Sequence, residues 1–279
     1  MGLVDPFNAC RTEREMEGMS ITNASAVDSG ARDIGKRKIL VAGNSHTQII
    51  KDAVTIRAGS GKPFGDDIEV CWVILGGKGD FGDTAREDAI AKIQGLRQSD
   101  LLVLSALGTL HNLIGLFNHE RPFQLVETAD GPVKHQAGTE VIPMNVLRDL
   151  FRDHVEGNQF FKQMADMAPC RVAHIFPPPP KESFAKSGKT RIIGGVTVRL
   201  EYAPKDHRLA LWKLEEKLAA DYLTRQKVIH YSVPIRARTP EGFLAPAYHA
   251  KDATHANHAF GELLLLDLEY MMHDLPLAP

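Results

Sequence analysis

Five short apolar runs recur along the chain, and each has the length and the β-branched content of a buried strand. Polar sequence with helical spacing lies between them. Continuous apolar runs that alternate with helices are typical of a parallel sheet covered on both faces. Right-handed crossovers then build a three-layer α/β/α sandwich around a central five-stranded parallel sheet. The predicted strands cover residues 38–43, 68–75, 100–107, 171–176 and 227–233.

The stretches between the strands predict helices over 47–57, 84–98, 206–225 and 257–273. Two segments interrupt the alternation, at about 116–145 and about 181–204. Glycine and proline in the first of them predict a hairpin, followed by a helix over about 144–167. We therefore expect one domain over 37–279 with two insertions, preceded by a flexible leader over 1–36, which lacks a sustained apolar period.

Composition narrows the classes of partner. The net charge of -2 and the pI near 6.6 argue against binding to nucleic acid or to an anionic membrane surface. No run approaches the roughly 20 apolar residues that span a bilayer, and no signal peptide is visible. The three cysteines, Cys10, Cys71 and Cys170, are too few for a disulfide framework, so we expect reduced thiols and a cytoplasmic protein.

The site of an open α/β sheet lies beyond the carboxyl ends of its strands. The first predicted strand ends at Gly43, and Asn44-Ser45-His46-Thr47 follows before a helix. A serine at such a turn exposes its hydroxyl beside the N–H groups of the helix's first turn. The alternative interpretation is that Ser45 or Thr47 only caps the helix.

A second polar segment precedes the last predicted helix, where Asp252 and His255 lie three residues apart. At this spacing an acid and an imidazole can meet across a turn. The acid would then fix the tautomer of the ring and stabilise the imidazolium, as in a Ser-His-Asp triad. The alternative interpretation is a loop of polar residues that cap the following helix.

Taken together, the two segments resemble the blocks of the SGNH (GDSL-like) hydrolases. Gly43-Asn44-Ser45 is similar to that family's Gly-Asp-Ser block, and Asp252-Ala253-Thr254-His255 to its Asp-x-x-His block. The resemblance covers roughly residues 38–273 and departs at Asn44, where the family has Asp. It implies that Ser45 is the nucleophile, His255 the base and Asp252 the acid that orients it, and that no cofactor takes part.

The resemblance also implies an oxyanion hole. Its donors would be the backbone N–H of Ser45, an N–H of Gly76 or Gly77, and an Asn after the third strand. The chain has Leu110 at the family's Asn position, so we expect Asn112 to supply that amide. Loss of one such donor typically costs about two to three orders of magnitude in turnover. The departure at Leu110 leaves a catalytically silent binding module as the alternative.

Histidines near the predicted site raise the question of a metal. His46 and His111 are expected at the same sheet edge as His255 and His258, but the spacing matches no zinc signature such as His-Glu-x-x-His. We expect no metal, and we expect His46 and His111 to bind substrate. The predicted function is a serine hydrolase that cleaves an acyl ester of a small molecule or a carbohydrate; the sequence does not indicate the oligomeric state.

Overall fold

The five predicted strands form one parallel sheet. The computed structural model describes residues 36–61, 66–74, 81–119, 121–126, 137–184, 190–193, 196–199 and 201–274. The strands are β1 (Lys38–Gly43), β2 (Asp67–Trp72), β3 (Leu101–Ser105), β4 (Phe123–Val126), β5 (Glu140–Pro143), β6 (Arg171–Ile175), β7 (Thr190–Ile193), β8 (Val196–Arg199) and β9 (Ile229–Tyr231). The central sheet has the order β2-β1-β3-β6-β9, and every neighbouring pair in it is parallel.

Helices cover this sheet and complete the α/β/α sandwich that the sequence predicted. They are α1 (Gln48–Gly59), α2 (Arg86–Gln94), α3 (Leu110–Gly115), α4 (Met144–Glu156), α5 (Gln159–Met167), α6 (Lys205–Arg225) and α7 (His258–Asp274). Helix α1 packs against α7, α2 against α5, and α6 against both α3 and α4. The chain from Lys36 onward forms one compact unit; the predicted leader lies outside the described residues, apart from Lys36.

The two central strands, β1 and β3, explain why the apolar runs are continuous. Ile39 to Ala42 of β1 and Leu101 to Leu104 of β3 have no exposed surface. Successive side chains of a strand point to opposite faces, so burial of all of them requires helices on both faces. The core of the domain therefore lies on both sides of these strands.

The first insertion differs from its prediction. Strands β4 and β5 pair in parallel and do not form a hairpin, with Phe123 opposite Glu140. Leu125 of β4 and Ile142 of β5 both pack on a second apolar cluster that includes Leu147 and Phe151 of α4. Turn residues indicate a change of direction, but packing on this shared cluster decides how the two strands pair. The second insertion does contain an antiparallel pair, β7 with β8.

Two further predictions need smaller corrections. The helix predicted over 144–167 is divided into α4 and α5, because Gly157 ends the first and the side chain of Asn158 accepts a hydrogen bond of 2.8 Å from Phe161 N–H at the start of the second. Strand β9 is shorter than predicted, over Ile229–Tyr231; it begins later because Lys227 takes the left-handed conformation, with φ of 57°, where the chain leaves α6. Within the described residues, no helix is long and apolar enough to cross a bilayer.

Candidate active site

The first site segment begins where β1 and β3 end side by side. Gly43 is paired with Ser105, and the next residue, Asn44, donates its N–H to the Ser105 carbonyl at 2.9 Å. A Cβ atom at Gly43 would lie 2.2 Å from that carbonyl oxygen, so no larger residue fits without moving a strand. This close approach fixes the position of Ser45 relative to β3.

Asn44 caps the turn that follows. Its side-chain oxygen accepts a hydrogen bond of 3.0 Å from the N–H of His46 at the start of a 3₁₀ turn over Ser45–Thr47. The Thr47 side chain makes no cap hydrogen bond to α1 and donates instead to the Asn44 carbonyl at 2.7 Å. The interpretation of Ser45 or Thr47 as a mere helix cap is therefore wrong, and the Ser45 hydroxyl is available for another contact.

The Ser45 hydroxyl contacts the segment from the other end of the chain. Its Oγ lies 2.9 Å from Nε2 of His255, and Nδ1 of the same ring lies 3.1 Å from Oδ2 of Asp252. An ionised carboxylate only accepts hydrogen bonds, so the ring proton belongs on Nδ1, and Nε2 presents its lone pair to the serine. The structure thus brings together the three residues that the sequence predicted to meet.

The Asp252 carboxylate is held by its own turn. Its Oδ1 accepts hydrogen bonds of 2.8 Å from the backbone N–H groups of Thr254 and His255. Partial burial acts to raise the pKa of Asp252, but these two N–H groups and the neighbouring His255 ring lower it below its ordinary value. Asp252 is therefore ionised at neutral pH, as the orienting acid of such a pair must be.

Lys181 supports this turn, and sequence reasoning missed it. Its side chain is 2% exposed, and Nζ donates to the Ala250 carbonyl at 2.7 Å and also to the Asp252 carbonyl. Burial lowers the pKa of Lys181, against the opposing charge of Asp252. The only signal in the sequence was a lysine directly after four prolines, which indicates nothing about its partners.

His46 lies against the His255 ring, with 4.9 Å between the ring centroids. It is 6% exposed, and its Nδ1 is buried without a hydrogen-bond partner in the described part of the chain. Burial, together with the charges of His255 and His111, lowers the pKa of His46 to about 3. His46 is therefore a neutral imidazole packed beside the His255 ring.

The loop after β3 carries the remaining described candidates. Leu110 is buried and joins the second apolar cluster, so it offers no donor to the site. His111 is 3% exposed, and its Nδ1 lies 2.7 Å from Oε2 of Glu215 on α6, another contact that sequence reasoning missed. Asn112 is half-buried on α3, and its place in an oxyanion hole stays a prediction. Gly76 and Gly77 lie outside the described residues.

The histidines do not form a metal cluster in the described part of the chain, where no group of three or more His, Cys, Asp or Glu side chains is placed to hold an ion. His255 uses both ring nitrogens on Ser45 and Asp252. His258 is exposed at the first residue of α7. Cys71 and Cys170 are free thiols.

No protein-family model and no curated protein matches the sequence significantly. Solved structures with a similar chain path include an extracellular lipase from Streptomyces rimosus, with 12% identity, a TM-score of 0.43 and coverage of 84% of this chain and 99% of the lipase. A GDSL-like lipase from Bacteroides thetaiotaomicron has 13% identity and a TM-score of 0.41, and the match covers 84% of this chain and 88% of that lipase. A carbohydrate acetylesterase from Sinorhizobium meliloti has 11% identity and a TM-score of 0.42, and the match covers 85% of this chain and 99% of the acetylesterase. Likeness at this level concerns the fold alone, so any chemistry has to follow from the side chains.

Proposed function

We propose that this chain, which has an SGNH-like hydrolase fold, is a serine hydrolase that cleaves acyl esters with Ser45, His255 and Asp252. The observation that carries the proposal is the unbroken chain of contacts from the Ser45 hydroxyl through both nitrogens of His255 to the Asp252 carboxylate, at 2.9 and 3.1 Å. A serine hydroxyl is a weak nucleophile unless a base lies within hydrogen-bond reach and a third group orients that base. Both conditions are met in this site.

The order of the reaction steps follows from the movement of the proton between Ser45 and His255. Nε2 of His255 removes the Ser45 proton as Oγ attacks the acyl carbonyl, and Asp252 stabilises the imidazolium that forms. The imidazolium then gives this proton to the leaving alcohol oxygen, which breaks the ester bond and leaves an acyl-enzyme. The same nitrogen then removes a proton from water, whose oxygen attacks the acyl carbonyl; the bond from this carbon to Oγ breaks, the acid leaves, and His255 returns the proton to Ser45 Oγ. Each proton leaves and returns through one ring nitrogen, so no cofactor is needed.

The charge that develops on the carbonyl oxygen needs donors that are already in place. We assign this role to the backbone N–H of Ser45, at the start of the 3₁₀ turn, and to Gly76 or Gly77 after β2. Asn112 is the third donor that the sequence predicted. The neutral His46 ring, buried beside His255, forms part of the wall against which the substrate binds.

The substrate in this proposal is an ester of a small molecule or of a carbohydrate, and the protein acts in the cytoplasm. Neither a nucleic acid nor a membrane is part of the proposal, because the chain carries a net charge of only -2. The fold and the triad together do not select the acyl group.

A silent binding module with the same cleft is the second candidate, and Leu110 is the observation that favours it. This residue is buried in an apolar cluster, where the resemblance implies an asparagine amide. Such a module would keep the Ser45 contact without efficient turnover.

Labelling with a fluorophosphonate separates the two candidates. An activated Ser45 attacks the phosphorus, and the adduct is located by mass spectrometry of the digested protein. We expect Ser45 to be labelled in the wild type and in Ser60→Ala, which alters an exposed serine at the end of α1. We expect no label in Ser45→Ala and a strongly slowed reaction in His255→Ala. An unlabelled wild type that still binds esters would favour the binding module.

A further inference from the structure

Glu215 is a carboxylate buried without any exposed surface on α6. Its Oε1 accepts the N–H of Leu110 at 3.1 Å, and its Oε2 accepts the N–H of His111 at 2.9 Å and lies 2.7 Å from the His111 ring. A buried carboxylate is costly unless it is hydrogen-bonded and its charge is balanced. All three contacts are with the first two residues of α3. Among the described residues, Glu215 therefore forms hydrogen bonds with this segment alone.

The loop that leads into α3 is held from several sides. Nε2 of His174 accepts the N–H groups of Ala106 and Leu107 at 3.3 and 3.1 Å, and the Asn158 amide donates to the Ala106 carbonyl at 3.2 Å. Gly108 follows with φ of +91°, and a Cβ atom there would lie 2.4 Å from the Phe176 ring. A loop fixed in this way can hold a side chain in one place, as a preorganised site requires.

His111 is the side chain that this arrangement fixes. Its Nδ1 is occupied by Glu215, which leaves Nε2 as its second ring nitrogen. His111 follows β3, whose last residue, Ser105, is paired with Gly43 and accepts the N–H of Asn44, so the loop before His111 begins beside the Ser45 turn. The charges of His111 and His255 both act on His46, the residue next to Ser45. Two of these three imidazoles have a carboxylate partner, Asp252 for His255 and Glu215 for His111, whereas His46 has none in the described residues.

We propose that Glu215 and His111 form a second carboxylate–imidazole pair of the site, in which Glu215 positions the ring and Nε2–H of His111 donates to the carbonyl oxygen of the substrate. This inference rests on the proposed ester hydrolysis. His111 thereby takes the place of the amide that the resemblance implies at the position of Leu110, a role that the sequence had predicted for Asn112. The ring is protonated on both nitrogens when it donates, and the Glu215 carboxylate balances that charge.

The test is the hydrolysis of p-nitrophenyl acetate, with kcat and KM measured for every variant under the same conditions. We expect Glu215→Gln to lower kcat by about 10- to 100-fold with little change in KM, and His111→Ala by about 100- to 1,000-fold. His111→Asn, which offers an amide donor, should recover part of the kcat that is lost in His111→Ala. Glu216→Gln is the matched control: it removes the neighbouring α6 carboxylate, which faces Arg238, and should leave both kcat and KM unchanged.

Several outcomes would overturn the inference. One is a His111→Ala variant with kcat within threefold of the wild type; another is a His111→Asn variant with kcat no higher than that of His111→Ala. Because Glu215→Gln removes a buried contact, its folding is checked by circular dichroism, and the His111 variants decide the question if it does not fold. A wild type that neither hydrolyses the ester nor labels at Ser45 would refute the proposed function itself. Normal labelling and turnover in all these variants would refute only the role of the second pair.

Discussion

The hydroxyl of Ser45 and Nε2 of His255 lie 2.9 Å apart, although 210 positions separate the two residues in the sequence. Ser45 follows β1, and His255 lies shortly before α7, so their contact depends on the packing of α1 against α7. Arg57 of α1 pairs with two carboxylates of α7 across this packing, including Glu269 at 3.0 Å. The geometry of the site therefore depends on the fold of the whole domain.

Ser45→Ala should separate chemistry from folding. The substitution removes one hydroxyl and one hydrogen bond at a half-buried turn, so the free energy of unfolding should change by at most about 1 kcal/mol. Turnover of p-nitrophenyl acetate should fall by about 10⁴- to 10⁶-fold, because the members of a triad act as a unit. Denaturant unfolding and steady-state kinetics on the same preparation measure both.

The control for Ser45→Ala is His258→Ala, which alters an exposed residue at the start of α7 and should leave turnover unchanged. Hydrolysis that survives Ser45→Ala but disappears with a chelator or with His258→Ala would contradict the serine mechanism and favour a metal site.

Asp252→Asn should test the orienting acid. The amide keeps the size of the side chain but no longer favours the tautomer that carries its proton on Nδ1 of His255. We expect kcat to fall by about 10²- to 10⁴-fold, with a smaller change in KM. Asp149→Asn, an exposed residue of α4 that pairs only with Arg152 among the described side chains, should behave as the wild type. Equal kcat in the two variants would exclude a role for Asp252 in orienting the ring.

The sheet and the triad contacts could be predicted because each leaves a local trace in the sequence. Strands β1 and β3 are buried on both faces, so they appear as unbroken apolar runs. Ser45 follows the first of these runs, and Asp252 and His255 share one turn. The break between α4 and α5 was missed, although Gly157-Asn158 is a typical helix stop and start.

The contacts of Glu215 and Lys181 left no such trace. Glu215 stands on a helix among buried residues such as Leu211 and Leu214, and one acid on an apolar face was the only available signal. Its partner, His111, is about a hundred positions away. The pairing of β4 with β5 was predicted wrongly for a similar reason, because strand direction is decided by tertiary packing and not by the turn residues between the strands.

Lys181→Met should show how strongly the lysine holds the Asp252 turn. Methionine fills a similar volume but leaves the Ala250 and Asp252 carbonyls without their donor. We expect the free energy of unfolding to fall by about 2–4 kcal/mol and kcat to fall at least tenfold, because the acid of the triad loses its support. Thermal or denaturant unfolding and ester kinetics measure these effects.

Lys205→Met is the matched control for this lysine. Its ammonium group is exposed and pairs with Glu182 at 2.6 Å, so its loss should leave the free energy of unfolding nearly unchanged. Similar effects of the two substitutions would mean that the buried contacts of Lys181 do not support the turn.

His46 should make the stability of the protein depend on pH. Burial and two neighbouring imidazoles lower its pKa in the folded state from 6.5 to about 3. Between these values the unfolded chain binds a proton that the folded chain does not, so the free energy of unfolding falls as the pH falls. One such histidine lowers it by about 2 kcal/mol between pH 7 and pH 5.

The glutamine of His46→Gln does not bind this proton. Between pH 7 and pH 5, the free energy of unfolding of the variant should therefore fall by about 2 kcal/mol less than that of the wild type. Part of the pH dependence should remain, because burial also lowers the pKa of His174 to about 3. His154→Gln, which alters an exposed residue of α4, should follow the wild-type curve. Urea titrations at pH 7, 6 and 5 measure the three curves. If the curves of His46→Gln and the wild type run parallel, His46 is protonated in the folded state as readily as in the unfolded chain, and it cannot be the neutral wall of the site.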